Sequence, residues 1–282
     1  MQALKSNRCL VHSVFQKVIN LSAGDLFFSI GNAKIEEGPG TIIMNEAADF
    51  MEWGLKRGDI VFCENKKLIL SGRFEIKMQE KNCFFINDLS KCKPYREEHL
   101  LLSIPLAERL TFIYGADGEL YRCYFNMEEK TKTDQFFQIH FRRIKEAIKE
   151  KSEHVLVKEL YSIVGLGRGL TPSGDDFIAG MLFIFSIFQK TDIMQYWDLV
   201  CFCKTKTNRI SYEEIVQAYH GKSRRSQMQF LSAILQGDQT MIKNSVHGIL
   251  RYGSTSGTDI MIGMLMAFKR IGFMMERKQM ML

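Results

Sequence analysis

A twelve-residue phrase occurs twice in this chain, and it constrains the fold more than any other feature. Residues 171–182 read T-P-S-G-D-D-F-I-A-G-M-L, and residues 254–265 read S-T-S-G-T-D-I-M-I-G-M-L. Six of the twelve positions are identical: Ser173/Ser256, Gly174/Gly257, Asp176/Asp259, Gly180/Gly263, Met181/Met264 and Leu182/Leu265. Each phrase is a small, polar, Gly-rich turn that runs into an apolar stretch at helical spacing. That pattern predicts a helix whose first backbone N–H groups are accessible and attract an anion. Two such starts predict a site built between them.

The bulk properties narrow the class of protein. A hydrophobic content of 46% with 25% charged residues is that of a soluble globular chain, and 282 residues allow one large domain or two ordinary ones. The net charge of +6 is modest. Its basic clusters, such as Arg142–Arg143 and Lys222/Arg224/Arg225, are short, so small anionic substrates fit better than nucleic acid. Seven cysteines, an odd number with no C-x-x-C pair, indicate free thiols in a reducing cytoplasm. The longest apolar run, Phe177–Phe188, is twelve residues, against the ~20 a membrane span needs. No membrane association is expected.

Along the chain the periodicity changes once. Short strands are predicted at Asp25–Ile30, Thr41–Met44, Ile60–Cys63, Lys67–Leu70, Phe74–Met78 and Cys83–Ile86, with Asn65-Lys66 as a hairpin turn. Leu106–Tyr114 reads as a helix, whereas Leu120–Phe125 after Gly115–Gly118 reads equally as half of a hairpin. From about residue 134 the spacing is helical: Phe137, Phe141, Ile144 and Ile148 share one face. Further helices are predicted over 154–163, 176–189, 193–203, 212–220, 225–236, 239–251 and 257–272. Ser211-x-x-Glu214 reads as a capping box, and Asp238 as an N-cap. The expected class is α+β: a β-rich barrel or sandwich-like part over 1–93, a connecting segment over 94–133, and a helical part over 134–282.

The candidate site grows outward from the first phrase. Gly165, Gly167, Gly169 and Gly174 fall within ten residues, a density that lets a ligand approach the backbone. Arg168 lies in that loop, where its guanidinium could clamp a phosphate or carboxylate. Thr171 belongs to the same turn. Ser173/Asp176 and Ser256/Asp259 have N-cap and N3 spacing, which leaves Asp175 free for substrate or metal. Thr207, Asn208 and Ser211 could add donors to the same cleft, or simply form a capped loop. The second phrase adds Ser254, Ser256, Gly257 and Asp259. A plainer account makes both phrases bundle helices of similar design, with Gly180 and Gly263 marking close crossings. The Gly-Arg-Gly loop and the second copy favour a site, because capping requires neither. No dinucleotide-binding, Walker A or nucleophile-elbow pattern is present.

At these residues the chain resembles the oxamate carbamoyltransferase AllH-type subunit family. The resemblance rests on Gly-Leu-Gly-x-Gly-Leu-Thr-Pro-Ser-Gly-Asp-Asp at 165–176, Thr-Asn-x-Ile-Ser at 207–211 and Ser-x-Ser-Gly-x-Asp at 254–259. Weaker similarity reaches the N-terminus through Ser13-Val14-Phe15, Asn20-Leu21, Gly38-Pro39 and Ile86–Ser90. It implies a role in allantoin and purine breakdown, converting oxalurate and phosphate to oxamate and carbamoyl phosphate with two other subunits, one an FdrA-type protein.

On that reading Asp175 and Asp176 are the catalytic candidates. Gly167, Arg168, Gly169, Thr171, Ser173, Gly174, Thr207, Asn208, Ser211, Ser254, Ser256, Gly257 and Asp259 bind substrate or anion. Phosphate is itself the nucleophile, so no activated Ser or Cys is needed. No cofactor is required, although Asp175 could bind Mg²⁺. Two other classes stay open: a non-catalytic anion-binding scaffold that docks partner subunits, and a Mg²⁺-dependent hydrolase using Asp175, Asp176 and Asp259.

Overall fold

The computed structural model describes residues 8–78, 97–188 and 193–279. The chain forms two compact units, Met1–Ile86 and Asn87–Leu282. The expected α+β class holds: a β-sheet unit precedes a helical one.

The first unit is one seven-stranded sheet: β1 (Arg8–Val14), β2 (Val18–Ala23), β3 (Leu26–Gly31), β4 (Thr41–Ile43), β5 (Ile60–Glu64), β6 (Lys67–Leu70) and β7 (Phe74–Lys77). The spatial order is β4-β3-β2-β1-β5-β6-β7. All neighbours are antiparallel except β3 and β4. Alternation buries Cys9, Val11, Leu68 and Leu70 on one face, where they join Ile19, Leu21, Ile30, Phe50 and Val61. The β5–β6 hairpin turns at Asn65 and Lys66, both at positive φ (48° and 61°), which matches the twist of the strands it joins. The expected strands at 25–30, 41–44, 60–63, 67–70 and 74–78 are present within a residue or two. β1 and β2 were not expected, and Cys83–Ile86 lies outside the described residues.

The second unit contains α1 (Glu97–Tyr114), α2 (Glu119–Tyr124), α3 (Lys132–Glu150), α4 (Glu153–Ile163), α5 (Ser173–Phe188), α6 (Trp197–Lys206), α7 (Arg209–Tyr219), α8 (Arg225–Gln236), α9 (Gln239–Leu250) and α10 (Ser256–Gln279). A 3-10 turn, Ile193–Tyr196, leads into α6. The stretch read as helix or hairpin is helical, and α1 and α2 both belong to this unit. Arg122 of α2 is held between Asp134, at 2.7 Å, and Asp117, at 2.7 Å. The buried Arg122–Asp134 pair ties α2 to α3.

α5 and α10, the helices of the two repeated phrases, form the centre. Every residue of α5 from Ser173 to Phe185 is buried, so the helix is apolar on all sides below its first turn. A Cβ on Gly180 would fall under 3.0 Å from Ile260 O, and one on Gly263 under 3.0 Å from Phe177 O. The two backbones therefore touch at matching glycines, as the plainer account of the repeat expected. Contacts advance together along both helices, from Thr171/Ser256 to Gly180/Met264. The pair runs in the same direction, with both N-termini at one end. No helix among the described residues is long and apolar enough to cross a membrane.

Candidate functional site

The two phrases meet through their side chains: Thr171 Oγ1 lies 2.8 Å from Ser256 Oγ. The helix register differs from the expected one by one residue. Asp176 N–H donates to Pro172 O at 3.1 Å, and Asp259 N–H to Thr255 O at 3.0 Å. Ser173 and Ser256 are thus the first helical residues instead of the caps. The cause is docking of the next residue in each phrase. Gly174 N–H donates to Leu166 O at 2.9 Å, and its bare Cα faces Ile163 O at the end of α4. Gly257 N–H donates to Tyr252 O at 2.9 Å, and its Cα faces Ile249 O near the end of α9. Each phrase is the second half of a helix–loop–helix unit, and the two units share one plan.

These bonds consume early amides. Asp175 N–H donates to Pro172 O at 2.9 Å and Thr258 N–H to Thr255 O at 2.8 Å. An anion at this end of the pair therefore meets hydroxyls and the preceding loops more than the helix amides of Gly174, Asp175, Gly257 and Thr258.

Asp175 ties the first loop together. Its Oδ1 accepts from Gly165 N–H at 2.7 Å, and its Oδ2 accepts from the Thr207 hydroxyl. Burial raises its pKa, and the donors Thr207, Gly165 and Ser211 pull it back down. Gly165 has φ 71°, and a Cβ there would meet Lys206 O at 2.8 Å, so the loop and the end of α6 fit only through glycine. Asn208 is the N-cap of α7, accepting from Ile210 and Ser211 N–H, while its Nδ2 donates to Leu170 O at 2.7 Å. Ser211 donates to the same carbonyl at 3.3 Å. Thr207, Asn208 and Ser211 thus converge on the 165–170 loop, and Asn208, not Ser211, does the capping. Arg168, Gly169 and Leu170 are exposed at the tip, as is Ser254 on the other phrase. Arg168 makes no ion pair with any described residue.

Asp176 and Asp259 occupy matching positions at the heart of the pair, each with its side chain out of contact with solvent. Asp176 stands beside the Ser256 hydroxyl of the opposite helix, and Asp259 beside the Ser173 and Thr255 hydroxyls. Burial pushes the Asp259 carboxyl up to about 7 despite those hydroxyls, with Glu119 adding to the rise. Burial also holds Asp176 well above the usual carboxylate range, reinforced by Glu214, Asp259 and Asp175. Oδ2 of Asp176 and both oxygens of Asp259 have no hydrogen bond of normal geometry. Among the described residues no group of three or more His, Cys, Asp or Glu could hold a metal ion.

Three participants escaped the sequence reading. Thr258, the counterpart of Asp175 in the second phrase, accepts from Ala116 N–H at 2.9 Å and so anchors the 115–118 turn as Asp175 anchors the 165 loop. Aligning the phrases column by column exposes that equivalence. Gly118 closes over Thr255 and Asp259, 3.1 Å and 3.9 Å from its Cβ position, and Glu214 faces Asp176 from α7. Neither carries a local signal.

With this geometry in place, comparison with known families is decisive. The model for oxamate carbamoyltransferase subunit AllH matches residues 163–268, and the AllH family N-terminal domain matches residues 1–83. The chain belongs to the AllH family. The first match spans both phrases and the 207–211 loop, and the second spans the whole described sheet. AllH is by description a subunit of an oxamate carbamoyltransferase, so an AllH-family chain works with partner subunits. No curated protein and no solved structure matches the chain.

Proposed function

We propose that this chain, in a cytoplasmic complex with partner subunits that include an FdrA-type protein, serves the phosphorolysis of oxalurate in allantoin and purine breakdown. A phosphate oxygen attacks the carbamoyl carbon, the carbon–nitrogen bond to the oxamate portion breaks, and the departing nitrogen takes up a proton. The products are carbamoyl phosphate and oxamate. The reaction requires two anions held together and donors directed at the tetrahedral oxyanion. Arg168 and the Gly167–Gly169 backbone take phosphate. Thr171, Ser173, Ser254 and Ser256 orient the substrate, flanked by Thr207, Asn208 and Ser211. Gly174 and Gly257 let the two helix starts close up. Asp175 organises the loop, and Asp176, kept protonated by burial, is the proton source.

The observation that carries this reading is the Thr171–Ser256 hydroxyl contact, which joins both phrases inside the segment matched to the carbamoyltransferase subunit. The test is co-purification with the partner subunits and an assay for carbamoyl phosphate from oxalurate and phosphate. No product from an intact complex would sink it.

A second reading, a non-catalytic scaffold subunit, draws support from the consumed helix amides and from the complete hydrogen bonding of Asp175. An Asp176→Asn complex that assembles and turns over normally favours the scaffold.

A further inference from the structure

Two buried aspartates with spare acceptor oxygens call for donors. Asp176 and Asp259 lie at matching positions of the α5–α10 pair, near enough for the Asp259 charge to act on Asp176, both buried, with three carboxylate oxygens lacking a hydrogen bond of normal geometry. The groups around them are hydroxyls: Ser256 beside Asp176, Ser173 and Thr255 beside Asp259. The charged groups that face them are acidic as well, namely Glu214 on α7, Asp175 on α5 and Glu119 on α2. A phosphate or carboxylate placed here would be repelled by these carboxylates. Leaving such oxygens unpaired costs about 1–3 kcal/mol each, so a ligand that supplies donors gains what the empty pair lacks.

We infer that the Asp176/Asp259 pair receives the N–H-bearing ureido end of the substrate, while its anionic end and phosphate stay at the Arg168 rim. The inference rests on the oxalurate reading and adds an orientation to it. A ureido group presents several N–H donors in one plane, and it is neutral, so it suits carboxyl oxygens that lack donors. Entry replaces the part-buried Thr171–Ser256 hydroxyl contact, which joins the two phrases. Donors stabilise the ionised carboxylate, so binding draws a proton off Asp259, while Asp176 keeps the one it delivers to the departing nitrogen.

The experiment measures binding to the full chain in complex with its partner subunits, by calorimetry at pH 6 in buffers of different ionisation heat. Wild type should bind oxalurate with release of protons, and should bind oxalate, which has carboxylates but no N–H, at least tenfold more weakly. Asp259→Asn and Asp176→Asn should each weaken oxalurate at least tenfold and leave phosphate binding unchanged, and Asp259→Asn should abolish the proton release. Both substitutions are isosteric and remove a buried acid, so a melting temperature equal to or above wild type reports an intact fold. Unchanged oxalurate affinity in folded Asn variants overturns the inference, as does equal affinity for oxalate and oxalurate. If oxalurate is not the substrate, saturation-transfer NMR with N-methylurea still decides. A wild-type signal that Asp259→Asn removes supports the ureido pocket, and no wild-type signal overturns it.

Discussion

Gly180 of α5 and Gly263 of α10 stand at the same column of the duplicated phrase, and each is the point where the other helix's backbone comes closest. Carbonyls Ile260 O and Phe177 O occupy the space where a Cβ would go, and the Met264 and Met181 amide nitrogens lie 3.1 Å beyond it. Backbone cannot swing aside as a side chain can. Alanine at either position gains about 1 kcal/mol of helix propensity but forces the helices apart, at a cost of about 3 kcal/mol or more. Each single variant should therefore lose about 2 kcal/mol in urea unfolding. The two sites share one crossing, so a pair already separated by the first substitution suffers less from the second. A double variant whose loss equals the sum of the singles would show that the glycines do not act at one contact.

The buried aspartates set a pH dependence with a defined sign. Asp259 rises from 3.8 unfolded to about 7 folded, so between those values the folded state binds more protons than the unfolded one. Stability is then full below about pH 4, falls as pH rises, and levels off above about pH 7. The shift sets an upper bound of about 4 kcal/mol for this residue, reduced by the α5 and α10 N-termini, whose dipoles favour the charged form. Raised values at Asp176 and Asp175 act in the same direction. Urea midpoints of wild type should fall between pH 5 and pH 8 from this source, and Asp259→Asn should flatten the decline. A variant with the same slope as wild type would locate the dependence elsewhere.

The repeat was legible because it is written in residue identity, and so were the helices it opens and the glycine crossing. The helix register was not. Serine favours the cap position locally, but Gly174 is bound by Leu166 O and pressed on Ile163 O, a tertiary constraint that moves the helix start one residue upstream. The missing strands have a similar cause. β1 and β2 carry Ser13 and Asn20 where apolar residues would announce a strand, and these bond across the sheet, Asn20 to Ser13 at 3.0 Å and Ser29 to Asn20 at 2.7 Å. Polar groups satisfied by a neighbouring strand look, in sequence, like a loop. Of the candidate site, the convergence of 165–176, 207–211 and 254–259 follows from motif chemistry. The opposition of Asp176 and Asp259 follows only from the helix crossing, which no local pattern encodes.

Asp175 is expected to matter through the loop it holds. Asp175→Ala leaves Gly165 N–H without its acceptor, a loss of about 1–3 kcal/mol, and frees the end of α6 at Thr207. Asp175→Asn keeps an oxygen for Gly165 but turns a donor toward the Thr207 hydroxyl, so its loss should be smaller. Hydrogen exchange at Gly165 should speed up in the alanine variant and stay slow in the asparagine variant. Equal exchange in both would mean that Asp175 does not pin the loop.

Arg168 separates binding from folding most cleanly. It is exposed and pairs with no described residue, so its replacement removes nothing the fold uses, and Arg168→Ala should leave the melting temperature within about 1 °C of wild type, as a surface change within ±0.5 kcal/mol does. If it clamps phosphate, a charge-assisted bond of about 1.5–3 kcal/mol is lost, which solvent exposure trims to about 1.4 kcal/mol, a tenfold rise in the KM for phosphate. The oxalurate KM should rise less, because only its anionic end lies at this rim while its ureido end binds elsewhere. Salt supplies an internal check. The wild-type phosphate KM should climb with ionic strength as screening shortens the reach of the guanidinium, and the variant's should climb less. A phosphate KM unmoved by the substitution would take Arg168 out of the site and leave the anion to the hydroxyl rim alone.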